Sequence, residues 1–322
     1  MTGLTDNTAP INVGISTCLL GERVRFDAGH KRDRFITDVL GDYFEFIPVC
    51  PELEVGMGVP RESVRLVGDI ERPRMTGVKS GNDWTERMNT YSQERVQQLE
   101  SYNLSGYILK SDSPSCGMER VRVYNDKGMP QKKGRGLYAD GFIKHFPLVP
   151  VEEEGRLNDA GIRENFIVRV FSYHRLQQLI QNSYSRGALV DFHTKHKYLL
   201  LAHSPKHYKE LGTLVANAKR YKPRNILNAY STLFMTTLRV KSTYKKNVNV
   251  LNHILGFLRD HLTADEKQDI INTISDYHKR LVPLIVPITL ISHYIRKHNI
   301  EYIRNQIYLS PHPKELMLRN HV

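Results

Sequence analysis

The residues best equipped for chemistry are three cysteines, the only ones in a chain of 322 residues. Cys116 ends the stretch Lys110-Ser111-Asp112-Ser113-Pro114-Ser115-Cys116, which follows the apolar run Gly106-Tyr107-Ile108-Leu109. Cys18 comes after Ile11-Asn12-Val13-Gly14-Ile15, and Cys50 after Tyr43-Phe44-Glu45-Phe46-Ile47-Pro48-Val49. Each run reads as a strand. In an open α/β sheet the carboxyl ends of the strands border the binding crevice, so thiols distant in sequence can meet there. One reading makes the three thiols buried apolar fillers. The other makes them a shared metal centre. Zinc commonly draws on close CxxC pairs, which this chain lacks. Soft thiolates also hold iron–sulfur clusters, normally through four cysteines. With three cysteines on a four-iron cluster, one iron has no protein ligand and is an open Lewis-acid position.

The elements that must position these thiols alternate in type along residues 11 to 150. After the first run, a short helix is expected over Arg34 to Leu40, and a third strand over Val64 to Ile70. Trp84 to Tyr102 reads as a surface helix, and Leu137 to Phe146 as another. Lys132-Lys133-Gly134-Arg135-Gly136 reads as a flexible basic loop. The alternation predicts an α/β domain with a parallel, Rossmann-like sheet. Glu152-Glu153-Glu154-Gly155-Arg156 marks a shift in composition, and from Phe166 onward the pattern is helical. Ser204-Pro205 has the form of an N-cap followed by proline. Thr263-Ala264-Asp265-Glu266 has the form of a capping box, and Pro287 is expected to start a further helix. The expected organisation is an α/β domain over residues 1–158 and an all-α helical bundle over 159–322.

Charge follows the same division. Up to Ala160 the chain has 21 Lys+Arg and 24 Asp+Glu, a balance of −3; from Gly161 it has 25 and 10, a balance of +15. Such asymmetry points to a polyanion-binding module in the second half, although a basic surface can also serve solubility alone. Met1 to Pro10 lacks the apolar core of a signal peptide. The longest apolar patch, Leu281 to Ile291, is too short to span a bilayer and holds two prolines. These features predict a cytoplasmic protein, in which three cysteines are no disulfide framework. Gly56 and Gly58 make no nucleotide-binding fingerprint, and no Walker loop occurs, so no nucleotide cofactor is expected.

Three blocks together resemble the thiouracil desulfidase family. They are Ser16-Thr17-Cys18-Leu19-Leu20-Gly21, then Cys50-Pro51-Glu52 with Gly56 and Pro60-Arg61 beyond it, and Ser113-Pro114-Ser115-Cys116-Gly117. The resemblance implies a [4Fe–4S] cluster held by Cys18, Cys50 and Cys116. It also implies a glutamate and a serine beside the cluster, positions matched by Glu52 and Ser113. Glu52 is expected to activate water and Ser113 to orient the substrate or relay a proton. Without the resemblance, Glu52 reads as a solvated turn residue or an ion-pair partner, and Ser113 as a loop hydroxyl bonded to nearby backbone. Residues 185 to 305, with Asp191-Phe192-His193-Thr194-Lys195-His196-Lys197-Tyr198 and the segment through Ser204, resemble a second domain known from bacterial proteins. The fusion is similar to proteins proposed to desulfurate 4-thiouridine in tRNA.

In that second half, His193, His196, His203 and His207 could place imidazoles on one helix face, but no cysteine joins them. A basic binding face is the preferred reading over zinc. Lys195, Lys197, Lys206, Lys219, Arg220, Lys222 and Arg224 would contact phosphates, and Tyr221 could stack on a base. Lys241, Lys245 and Lys246 form a second basic cluster. The expected activity is non-redox, hydrolytic conversion of 4-thiouridine in tRNA to uridine with release of sulfide. Its alternatives are a desulfidase of free thiouracil or thionucleosides, and a non-catalytic iron–sulfur RNA-binding regulator.

Overall fold

The computed structural model describes residues 10–181 and 184–322. The chain divides into two compact units, Met1–Asn158 and Asp159–Val322.

The first unit contains, in order, β1 (Asn12–Ser16), α1 (Arg34–Asp38), β2 (Glu45–Val49), α2 (Pro51–Glu54), β3 (Val64–Gly68), β4 (Pro73–Gly77), α3 (Thr85–Leu99), β5 (Gly106–Leu109), β6 (Val121–Tyr124), β7 (Pro130–Gly134), α4 (Leu137–His145) and β8 (Val151–Glu153). Strands β2-β1-β5-β8 form a wholly parallel sheet. Its centre is buried on both faces: Val13, Ile15, Tyr107, Ile108 and Leu109 are inaccessible to solvent. Continuous apolar runs of this kind are what a covered parallel strand requires. Gly14 is needed because a Cβ there would overlap the Tyr107 ring on the neighbouring strand.

A second sheet, β4-β3-β6-β7, is mixed, and the alternation of strands and helices did not predict it. Its two outer strands lie in segments without an apolar run. Only Met75 is buried among the apolar residues of β4, and β7 exposes four of its five residues. The expected flexible loop over 132–136 is corrected accordingly: Lys132 to Gly134 pair with β6 as an edge strand. Charged edge strands of this type resist pairing with other chains.

The second unit is helical: α5 (Ala160–Gln181), α6 (Arg186–His203), α7 (Pro205–Ala216), α8 (Pro223–Arg239), α9 (Tyr244–Leu258), α10 (Ala264–His278), α11 (Ile285–Lys297) and α12 (Glu301–Arg304). Ser204 caps α7 by accepting the His207 amide, with Pro205 at the first helical position. The Thr263–Glu266 capping box is complete on α10. Pro287 lies at the third residue of α11, which starts at Ile285. Leu199, Leu200, Phe234, Leu251 and Ile291 are buried in the unit's core. No helix among the described residues is long and apolar enough to cross a membrane.

Candidate active site

The parallel sheet delivers the three cysteines. Each of β1, β2 and β5 ends in a segment that carries one thiol: the 3-10 turn Thr17–Leu20, the start of α2, and the loop from Lys110 to Gly117. β1 is central, with β2 on one side and β5 on the other, so its carboxyl end faces the crevice where the strand order reverses. Cys18, Cys50 and Cys116 all line one cavity there, of about 310 Å³. Glu52, Arg61, Lys110 and Ser113 line it as well.

The cysteine loop is fixed by backbone. Gly117 N–H donates to Ser113 O (2.8 Å), and the first amides of α4 hold the loop from behind, Leu137 to Pro114 O (3.1 Å) and Ala139 to Ser115 O (3.0 Å). A Cβ on Gly136 would overlap the Ser115 carbonyl, so only glycine permits this approach.

Burial governs the thiols. It pushes Cys18 up to about 11, raises Cys50, and raises Cys116 well above the ordinary thiol range. Each is therefore neutral near pH 7 in the absence of metal, and loading a metal must expel protons. Arg25 and Lys110 act in the opposite direction on Cys18. Among the described residues no three His, Cys, Asp or Glu side chains converge tightly enough to hold a single ion. An iron–sulfur cluster makes a different demand, because its cysteines bind separate irons. Three soft donors around a common cavity, with cations beside them to offset thiolate charge, fit that group.

Glu52 is held at both oxygens. Arg61 donates to Oε2 from Nη2 (2.7 Å) and Nε (3.2 Å), and its Nη1 donates to the carbonyls of Val24 (3.0 Å) and Gly58 (2.9 Å). The Glu52–Arg61 pair is largely shielded from water, with side-chain exposures of 14% and 6%. Oε1 accepts from Ser115 Oγ, and Ser113 Oγ lies 3.5 Å away. Ser113 Oγ accepts the amides of Cys116 (3.1 Å) and Ser115 (3.3 Å). The structure thus brings together all five residues singled out in this half.

Sequence reasoning missed Arg61 as the partner of Glu52, Ser115 as its nearest hydroxyl, and the Lys110–Glu154 pair (2.5 Å) that anchors Ser111. The first two stand inside the quoted blocks, which was the available signal. Glu154, one residue past β8, carries none.

The basic residues of the helical unit separate into two groups. Lys195 pairs with Asp191 (2.8 Å), and Lys197 Nζ sits 4.2 Å from the Tyr302 ring centroid and 4.7 Å from that of Tyr198. Lys206, Lys219, Arg220, Lys222 and Arg224 are exposed, as are Tyr221, Lys241 and Lys245; Lys246 donates to His203 O (2.7 Å). The histidines do not form a metal site. His196 and His203 are buried, with Nδ1 bonded to Phe192 O (2.7 Å) and Val240 O (2.6 Å), and His193 Nδ1 meets Tyr230 Oη (3.2 Å). Burial lowers His193 to about 4, His196 to about 3 and His203 to about 4.

The family model for 2-thiouracil desulfurase matches residues 13–154, and that of a domain family of unknown function, DUF1722, matches residues 197–313. The uncharacterized protein YbgA of Escherichia coli is 29% identical over 158 residues, 49% of this chain and 94% of its own. The uncharacterized protein YbbK of Bacillus subtilis is 31% identical over 108 residues, 32% of this chain and 71% of its own. A solved [4Fe-4S]-dependent thiouracil desulfidase, TudS, is 26% identical, with a TM-score of 0.39, over 48% of this chain and 97% of that one. Through residues 13–154, the chain belongs to the 2-thiouracil desulfurase family.

Proposed function

We propose that the protein removes sulfur from a thiolated uracil, with 4-thiouridine in tRNA as its substrate. Residues 1–158 would do the chemistry and residues 159–322 would engage the RNA, in the cytoplasm. Cys18, Cys50 and Cys116 would hold a [4Fe–4S] cluster. When bound, the cluster supplies a soft Lewis-acid position for the thiocarbonyl sulfur.

The chain's own residues supply the rest. Arg61 fixes one oxygen of Glu52 and leaves the other directed at the two serine hydroxyls beside Cys116. A carboxylate so placed takes a proton from water as the water adds to the thiocarbonyl carbon. The C–O bond forms, the C–S bond breaks, and sulfur leaves as sulfide with the protons that water gave up. No electrons are exchanged. Ser113, its oxygen fixed by two amides, orients the base or passes the proton. The exposed cations Lys206, Lys219, Arg220, Lys222 and Arg224 would contact RNA phosphates, which position the substrate without reading its sequence.

The observation that carries this reading is the convergence of three thiols and one carboxylate, from three strand ends, on one cavity. The test is anaerobic reconstitution with iron and sulfide, then nucleoside analysis of thiolated tRNA and assay of released sulfide. Loss of 4-thiouridine with matching sulfide is expected. Turnover of free thiouracil with no change in tRNA would favour the second reading, a free-base desulfidase, to which the family's description points. Tight binding of thiolated tRNA with no sulfide from any substrate would identify a regulator instead. On the tRNA reading, kcat/KM for tRNA falls steeply with salt while that for the free base does not.

A further inference from the structure

The α/β unit has a second recess, of about 660 Å³, twice the volume of the cysteine cavity. It adjoins the cysteine loop along the chain. Ser111 to Cys116 line the first cavity, and Met118 and Glu119 line the second. Two residues of chain span at most about 7 Å, so the walls of the two recesses are adjacent at this loop. The remaining walls are the β3–β4 connection, the start of α3, the end of β7 and one side of α4.

Its charge is out of character with its surroundings. The unit as a whole has an acidic excess, yet five cations line this recess: Arg72, Arg74, Lys133, Arg135 and Lys144. Its acids are Glu71, Glu119 and Asp140. Two of those are already engaged. Asp140 is shared by Arg135 (3.1 Å) and Lys144 (2.6 Å), and Glu119 is taken by Arg156 (2.5 Å). Arg74 has only a distant, exposed partner in Asp83 (3.7 Å). Among the described residues, Arg72 and Lys133 have no carboxylate within 4 Å, and both are exposed. Arg72 and Lys133, two like charges without carboxylate partners on the wall of one recess, raise the local potential and attract a polyanion.

We propose that this recess is a phosphodiester-binding groove through which the α/β unit itself grips RNA. The inference rests on the RNA reading above and extends it, because that reading places phosphate contacts only in the helical unit. A polynucleotide whose base enters the cysteine cavity would have neighbouring phosphates at hand for the cations beyond the loop. A free base would use none of them. Arg72 and Lys133 are the principal contacts, with Arg74, whose one carboxylate partner is distant and exposed, beside them.

The test uses the full chain, reconstituted, carrying Arg72→Ala and Lys133→Ala together. The probe is an unmodified tRNA transcript, followed by fluorescence anisotropy across a salt series. Neutralising two phosphate contacts should lower the slope of log Kd against log salt by about 1.5 and weaken binding roughly tenfold at low salt. Sulfide release from free thiouracil should not change. A control with one exposed cation removed elsewhere on the unit, Lys79→Ala, should bind like the wild type. Unchanged affinity and slope in the double variant would overturn the groove, as would an equal loss in the control. If the wild type never converts 4-thiouridine but the double variant still loses RNA affinity, the proposed reaction fails and the groove stands.

Discussion

Both units carry residues fit for metal chemistry, and they use them in opposite ways. In the α/β unit, three cysteines leave the ends of three parallel strands and face a common cavity. In the helical unit, four histidines lie within fifteen residues of one another, yet each of the three whose Nδ1 is bonded turns that nitrogen to its own unit's carbonyl or hydroxyl groups. Close spacing on a helix produced packing. Wide separation in sequence produced a site. The difference is architectural. A parallel sheet gathers loops at one edge, whereas a bundle directs an i, i+3 or i, i+4 stripe into its own core.

The largest test of that contrast is removal of one member from each set. Cys116→Ala should abolish sulfide release and lower the iron bound per chain, since a three-thiol grip has none to spare. His196→Gln should leave iron content and turnover of free thiouracil within twofold of wild type. Iron content and desulfuration, measured on both variants, decide it; persistent turnover without Cys116 would remove the cluster from the mechanism. Glu52→Gln comes next. It retains the shape of the side chain but cannot take a proton, so kcat should fall by about 10²–10⁴ with iron loading intact.

Much of the contrast was legible in the sequence, but unevenly. The strands that lead to the cysteines are mostly apolar, and Cys50 follows β2 directly, whereas Cys18 and Cys116 stand in the turns just beyond β1 and β5. Glu52 and Ser113 were legible through blocks that resemble the family. The partners of Glu52 were not. Arg61 is nine residues away and Ser115 is sixty-three, and only the fold brings them to one carboxylate. Strands β4 and β7 escaped because a strand at a sheet's edge can expose nearly every side chain, leaving no alternation to read. The fate of the histidines was hidden for the opposite reason. A basic, His-rich helix looks solvent-facing, but Phe192, Tyr230 and Phe234 close over His196 and its neighbours.

Those buried imidazoles give the units different responses to acid. His193, His196, His203 and His312 all have folded values depressed to between about 3 and about 4 by burial. Below an unfolded value near 6.5 the unfolded chain binds more protons, so stability is full above that pH and is lost as pH falls toward 4. The loss between pH 7 and pH 5 is about 2 kcal/mol for each such histidine. The α/β unit has only His30 and His145, so it lacks this liability at the same scale. Hydrogen exchange read by mass spectrometry at pH 7 and pH 5 should show protection falling first in α6, α8 and the segment around His312. Equal loss in β1 and β5 would show that the two units do not differ in this way.

The smallest effect is the same substitution made once in each unit. Gly256 lies inside α9, and a Cβ there would meet nothing within 4 Å. Alanine at that position removes a flexible residue from a helix interior at no steric cost, and should stabilise the protein by about 0.8–1 kcal/mol. Gly136 adopts φ −64 and ψ 143, a conformation open to alanine, so its backbone alone would not object. Its obstacle is the Ser115 carbonyl and the Cys116 amide, against which the new methyl group would press. Because those atoms belong to the loop that presents Cys116, Gly136→Ala should lower both melting temperature and iron retention, whereas Gly256→Ala should raise the first and leave the second unchanged. If Gly136→Ala keeps its iron, the cysteine loop has slack. The site would then owe its shape to the cluster it holds more than to the backbone behind it.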